Sequence, residues 1–104
     1  ILPLKEKNIV INMKVKVVEF EYSSGNCPVP KVLVLNETEN TIEGVNLFYS
    51  SSDDEEKSLI ECVLNSNSET VWDNLTNEYP FVKGYYRRYT RDNINKESLK
   101  EVEL

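Results

Sequence analysis

The fourteen residues from Ile9 to Tyr22 leave this chain little choice but a β-strand. Ile9, Ile11, Met13, Val15 and Val17 alternate with Val10, Asn12, Lys14 and Lys16, and Val18, Phe20 and Tyr22 continue against Glu19 and Glu21 one residue out of phase. Alternation at period two puts every second side chain on one face, the signature of a half-buried strand. A one-residue slip predicts a bulge, which bends a strand so that it can serve both sides of a barrel. Residues 1–8 read as an arm, and Ser23 to Pro28 as a turn.

Shorter strands follow at Val32–Leu35 and Ile42–Tyr49, the latter with Gly44 as a bulge candidate. Ser50–Glu56 (SSSDDEE) reads as an exposed acidic loop. Residues 58–64 (SLIECVL) fit two structures: a helix, from the spacing of Leu59, Ile60, Val63 and Leu64, or a short buried strand. In the second case Ser66-Asn-Ser68 is a hairpin turn and Thr70–Trp72 the returning strand. Phe81, Val82, Tyr85, Tyr86 and Tyr89 predict one helix over Thr76–Thr90. Gly84 inside it would cost about 1 kcal/mol against alanine, tolerable where another element packs on its bare backbone. Ile94, Leu99 and Val102 suggest a short terminal helix. The sum is a mainly-β fold: a five-stranded OB-type barrel with a C-terminal helix packed on it, closure removing the exposed edges of a small sheet.

Length and composition bound the function. At 104 residues the chain is a single domain, 1–104. Eighteen acidic residues against twelve basic give a net charge of −6, which excludes a generic nucleic-acid binder because that role needs a basic field. No stretch approaches the roughly 18 apolar residues of a membrane helix. Histidine is absent, removing Ser-His-Asp and Cys-His catalysis and His-ligated zinc. Acidic pairs occur, but none sits among apolar residues that would raise a pKa, so no catalytic constellation, metal site or cofactor is expected and the protein is not expected to be an enzyme. Cys27 and Cys62 form either one disulfide, worth about 3–4 kcal/mol by loop entropy, or two buried free thiols. Asn36-Glu-Thr38 and Asn74-Leu-Thr76 are N-glycosylation sequons, so Asn36 and Asn74 are candidate glycan carriers. Sequons and a disulfide agree with an extracellular protein. Secretion would imply a leader already removed, because the sequence opens at Ile1 without a charged-then-apolar stretch.

Two segments resemble a known family. Trp72-Asp-Asn-Leu-Thr76 resembles the segment that ends the last barrel strand and opens a helix in the tissue inhibitors of metalloproteases, and Gly84-Tyr-Tyr-Arg-Arg-Tyr-Thr90 resembles the end of that helix. Val45-Asn-Leu-Phe-Tyr-Ser50 and Glu55-Glu56 with Leu59-Ile60 resemble the third and fourth strands, and Lys14–Val18 sits where the first belongs. The resemblance implies a netrin-like module with residues 58–64 as a strand. The family's inhibitors chelate zinc through an N-terminal Cys-x-Cys. Here Ile1 comes first and no cysteine precedes Cys27, so the fold carries over better than the activity. Small single-domain netrin-like proteins secreted by parasitic nematodes look most similar.

Residues 37–61 carry eight acidic side chains and one lysine. Glu37, Glu39, Glu43, Asp53, Asp54, Glu55 and Glu56 are therefore candidate contacts for a basic partner, steered by charge. The competing reading is a solvated loop. A calcium site at Asp53–Glu56 lacks the required ligand spacing. Lys83, Arg87, Arg88, Arg91 and Lys96, interleaved with Tyr85, Tyr86 and Tyr89, could grip an anionic ligand or instead pair with the acidic band while the tyrosines face the core. The expectation is a secreted, non-enzymatic binding protein, a decoy for a basic extracellular cytokine, chemokine or other immune protein. The alternative is an atypical metalloprotease inhibitor.

Overall fold

A computed structural model describes residues 15–23 and 29–104. The expected arm, the first part of the long strand up to Lys14, most of the turn to Pro28 and Cys27 lie outside them. The strands are β1 (Lys16–Glu19), β2 (Lys31–Glu37), β3 (Thr41–Asn46), β4 (Tyr86–Thr90) and β5 (Lys100–Glu103), and the helices α1 (Asp53–Leu64) and α2 (Val71–Glu78) fall between β3 and β4. Together the strands make one five-stranded antiparallel sheet in the order β4-β3-β2-β1-β5. The fold is β-rich, with its two helices in mid-chain.

The phase slip at Val17-Val18 has a different cause from the expected bulge. Val17 pairs with Leu33 and Val18 with Val32 in unbroken register. Val17, Leu33 and Val45 face one apolar cluster with Leu47, Leu59, Val63, Leu75 and Val82, while Val18 and Val32 face a second with Phe20, Ile42, Tyr89 and Ile94. Both faces of the sheet are thus buried, and a strand buried on both faces need not alternate. The irregularity in register lies instead in β2, between Val34 and Asn36. Gly44 sits opposite, pairing with Val34, and a Cβ there would overlap the Leu33 carbonyl oxygen. Only glycine lets β2 come that close.

Segment 58–64 is helical, which overturns the strand implied by the resemblance. Leu59 and Val63 are buried one turn apart, and neither glycine nor proline interrupts α1. The acidic stretch is no loop: Ser52 caps α1 by accepting from the Glu55 amide, and Asp53–Glu56 form its first turn, where the helix dipole favours carboxylates. Thr70–Trp72 is not a strand either. Asn67 Oδ1 accepts from the Glu69 and Thr70 amides, and that turn launches α2 with Asp73 in its first turn.

The expected helix over 76–90 breaks at Pro80. The residue before proline is driven out of helical geometry, and Tyr79 has φ −131° and ψ 76°. A 3₁₀ turn follows at Pro80–Gly84, and then β4. Nothing lies within 4 Å of a Cβ built on Gly84, so no close packing requires glycine there. Three residues apart on a strand, Tyr86 and Tyr89 face opposite sides: Tyr86 pairs with Val45 and looks toward the helices, whereas Tyr89 joins the second cluster. The expected terminal helix is replaced by 3₁₀ turns at Arg91–Asn93 and Lys96–Ser98 followed by β5. That segment covers the second cluster with Ile94 and Leu99.

Candidate binding surface

Two 3₁₀ turns place a row of aromatic rings on the surface. The first, Leu47–Tyr49, is capped by Asn46, whose Oδ1 accepts from the Phe48 amide at 3.0 Å and from the Lys31 amide at 3.3 Å. Asn46 is buried, and its Nδ2 donates to the Tyr89 hydroxyl at 3.1 Å. The Ser50 hydroxyl closes the turn by donating to the Leu47 carbonyl at 2.6 Å. In the second turn Val82 is the buried anchor, as Leu47 is in the first. So tight a turn sends one apolar side chain inward and its neighbours outward. The Asn46 amide donates to the Tyr85 carbonyl at 2.9 Å and ties the two turns together.

The rings touch in sequence. Phe48 and Tyr49 centroids are 6.1 Å apart, Tyr49 and Tyr85 5.8 Å, Tyr85 and Phe81 5.3 Å, and Phe81 and Tyr79 6.0 Å. Phe48 is 54% exposed and Phe81 42%. The Arg87 guanidinium lies 5.1 Å above the Tyr49 ring and is held there by donation to the Gly84 and Tyr86 carbonyls. The first turn of α1 borders the row: the Tyr85 hydroxyl lies 3.5 Å from Glu55 Oε1, while Glu55 also accepts from the Ser51 amide and hydroxyl. Partial burial and then Glu55 raise the Tyr85 phenol above its ordinary value.

The predicted acidic contacts do not form one surface. Glu56 binds Lys31 at 2.8 Å at the start of β2, whereas Glu37 ends that seven-residue strand, about 20 Å away at the usual rise. Glu37 is held by Lys16 at 2.8 Å and by Arg91. Partial burial opposes its ionisation, but those two cations outweigh it and hold the carboxyl below its ordinary value. Glu39 is exposed in the β2–β3 turn. Glu43 is not a surface contact. Only 8% exposed, it accepts from the Tyr86 hydroxyl at 2.9 Å and Asn36 Nδ2 at 3.4 Å, and Arg88 Nε lies at 3.3 Å. Burial, then the Glu43 hydrogen bond, push the Tyr86 phenol up to about 12. Asp53 and Asp54 are exposed in the first turn of α1, and neither makes an ion pair among the described residues.

Arg88 and Arg91 pair with the acidic stretch rather than forming a separate basic site. Cys62 is a free thiol on α1, raised in pKa by burial and then by Glu78, while Cys27 lies outside the described residues. Asn36 and Asn74 are both exposed, and Asn74 Nδ2 donates to the Ser66 and Thr70 hydroxyls. Among the described residues no cluster of three or more metal-ligating side chains occurs, and no helix is long and apolar enough to cross a membrane.

Sequence reasoning missed the aromatic row because Phe48, Tyr49 and Phe81 read as members of buried faces. One readable signal was Pro80, which drives Tyr79 out of helical geometry and so cannot continue a helix begun at Thr76. The capping pattern Ser52-x-x-Glu55 likewise announced α1. Comparison with protein families, curated proteins and solved structures finds no match for this chain.

Proposed function

We propose that this protein is a binding module that uses the row Phe48–Tyr49–Tyr85–Phe81 to hold a basic segment of a partner protein. The carrying observation is the exposure of contiguous rings that meet the acidic first turn of α1 at Tyr85 and Glu55. Monomeric surfaces seldom expose contiguous apolar rings without a use, and tyrosine and arginine are favoured where partners bind. Charge selects the occupant: the protein carries −6, and the ring faces attract cations, as Arg87 over Tyr49 illustrates. Secretion and a cationic immune protein as partner belong to the same proposal.

A netrin-like, OB-type barrel is the architecture proposed for it. In support, the Tyr22 hydroxyl accepts from the Thr90 amide at 3.2 Å and Tyr22 bridges to Ile94, linking the end of β1 to the segment leaving β4 although two strands separate them in the sheet.

The test is a binding screen against basic secreted cytokines and chemokines at about 150 mM salt, where the Debye length is roughly 8 Å. A saturable hit should weaken with added salt. It should weaken at least about tenfold in Tyr49→Ala/Phe81→Ala, as truncated interface anchors do. Asp53→Lys/Asp54→Lys should slow association. Binding indifferent to the ring substitutions would sink the assignment.

A further inference from the structure

We propose a second, separate site: a pocket for a small organic ammonium ion, an alkyl or arylalkyl primary amine, between the start of α2 and the sheet. A cavity of about 330 Å³ opens there, lined by Leu35 and Asn36 of β2, Ser68 and Glu69 before α2, Val71 and Trp72 in its first turn, and Tyr86 of β4. That volume is at the small end for ligand pockets, so the ligand is small.

Its charge and ring faces favour a cation. Leu35 and Val71 supply apolar wall for an aliphatic or aryl body. Trp72 and Tyr86 make an aromatic corner, with centroids 5.1 Å apart and planes at 68°. Aromatic faces carry negative potential and attract ammonium groups, indole most strongly. Hydrogen bonding points the same way. Tyr86 spends its proton on Glu43 and keeps acceptor capacity on its oxygen. Asn36 spends one amide hydrogen on Glu43 and keeps its carbonyl oxygen, with the second amide hydrogen, for a ligand. Glu69 is exposed and adds a carboxylate to the wall, and among the described residues no lysine or arginine lines the cavity. Arg88, two residues on from Tyr86 in β4, has its Nε 3.3 Å from the buried Glu43 carboxylate, which offsets its charge beside the pocket. A primary ammonium brings three donors, a positive charge and no acceptor, which complements this lining. A carboxylate or phosphate would meet the like charge of Glu69 and the negative faces of the two rings.

Trp72 is the only tryptophan, so its fluorescence reports on the site directly. The experiment titrates unglycosylated protein with 2-phenylethylamine at pH 7, with 2-phenylethanol and phenylacetate as neutral and anionic controls of similar shape. A glycan on Asn36 would stand at the mouth, hence the unglycosylated material. The amine should give a saturable change with Kd of about 1 mM or tighter, the alcohol should bind at least about fivefold more weakly, and phenylacetate should give none. Glu69→Gln, an exposed substitution that leaves the fold intact, should weaken the amine about threefold to fivefold. Backbone amide shifts should map to Leu35, Asn36, Val71 and Tyr86. Equal binding of amine and alcohol, an unsaturable response, or shifts confined to Tyr49, Phe81 and Tyr85 would each overturn the proposal. The last outcome would leave the aromatic-row reading standing, and failure of that row to bind a basic partner would leave this pocket untouched.

Discussion

Two clusters of aromatic rings, built from the same residue types, meet opposite fates in this molecule. Phe20, Tyr22 and Tyr89 lie beneath the 91–99 segment with centroids 5.1 to 6.2 Å apart, all edge to face. Phe20 is 0% exposed there, whereas Phe48 in the surface row is 54% exposed with similar ring spacings. Ring contact therefore does not distinguish core from surface. What differs is the covering. Tyr22 and Tyr89 lie under chain that returns across the sheet to form β5, whereas Phe48 and Phe81, on the 3₁₀ turns, stay exposed. The first cluster stabilises the fold, and the second is left available to a partner.

The largest expected effect comes from emptying the covered cluster. Phe20→Ala should cost about 3–5 kcal/mol, from lost burial and the cavity left behind, read as a fall in denaturant midpoint at unchanged slope. A loss near that of a surface substitution would break the contrast. Next is the buried carboxylate under the helix-facing side. Tyr86→Phe should cost about 1–3 kcal/mol, because Glu43 loses its closest donor. Since the phenol's pKa is raised from 10.0 to about 12, its stabilising share is fully present below pH 10 and fades as pH rises toward 12. The gap between wild type and variant should close over that interval.

Smaller is Glu37→Gln, expected below about 1 kcal/mol because the pairs with Lys16 and Arg91 are partly exposed. The folded carboxyl has its pKa lowered from 4.5, so this contribution is present at neutral pH and is lost as pH falls through the acid range. Urea melts at pH 7 and in acid, for both proteins, check the sign. The smallest is Phe48→Ala, within about 0.5 kcal/mol of wild type by thermal melting, as for an exposed site. A cost like that of Phe20→Ala would mean the row is structural, and the functional contrast would fall.

Reading along the chain located β1 through Lys16–Val18, β2 and β3, because period-two patterning survives wherever a strand is flanked by polar turns. It left α1 open between helix and strand, although the cap at Ser52 and the acidic first turn favoured a helix. It failed at 76–90, where Phe81, Val82, Tyr85, Tyr86 and Tyr89 mimic a helical face by coincidence of spacing. The same limit applies to the acidic residues: Glu37, Glu43, Asp54 and Glu56 look equivalent in sequence, yet one is doubly paired, one buried, one without an ion pair among the described residues and one bound to Lys31.

By itself the sequence determined a negatively charged chain, rich in strands and without histidine chemistry, and it carries at Ser52 and Pro80 the local start of α1 and stop of α2 that the reading of periodicity passed over. These are local or additive properties, set by composition, capping and backbone sterics. Only the tertiary structure decided which tyrosines are buried, which carboxylates find cations, and that Trp72 meets Tyr86 over Glu43. Those outcomes depend on residues far apart in the chain arriving on the same face of one sheet, and no local pattern encodes that meeting.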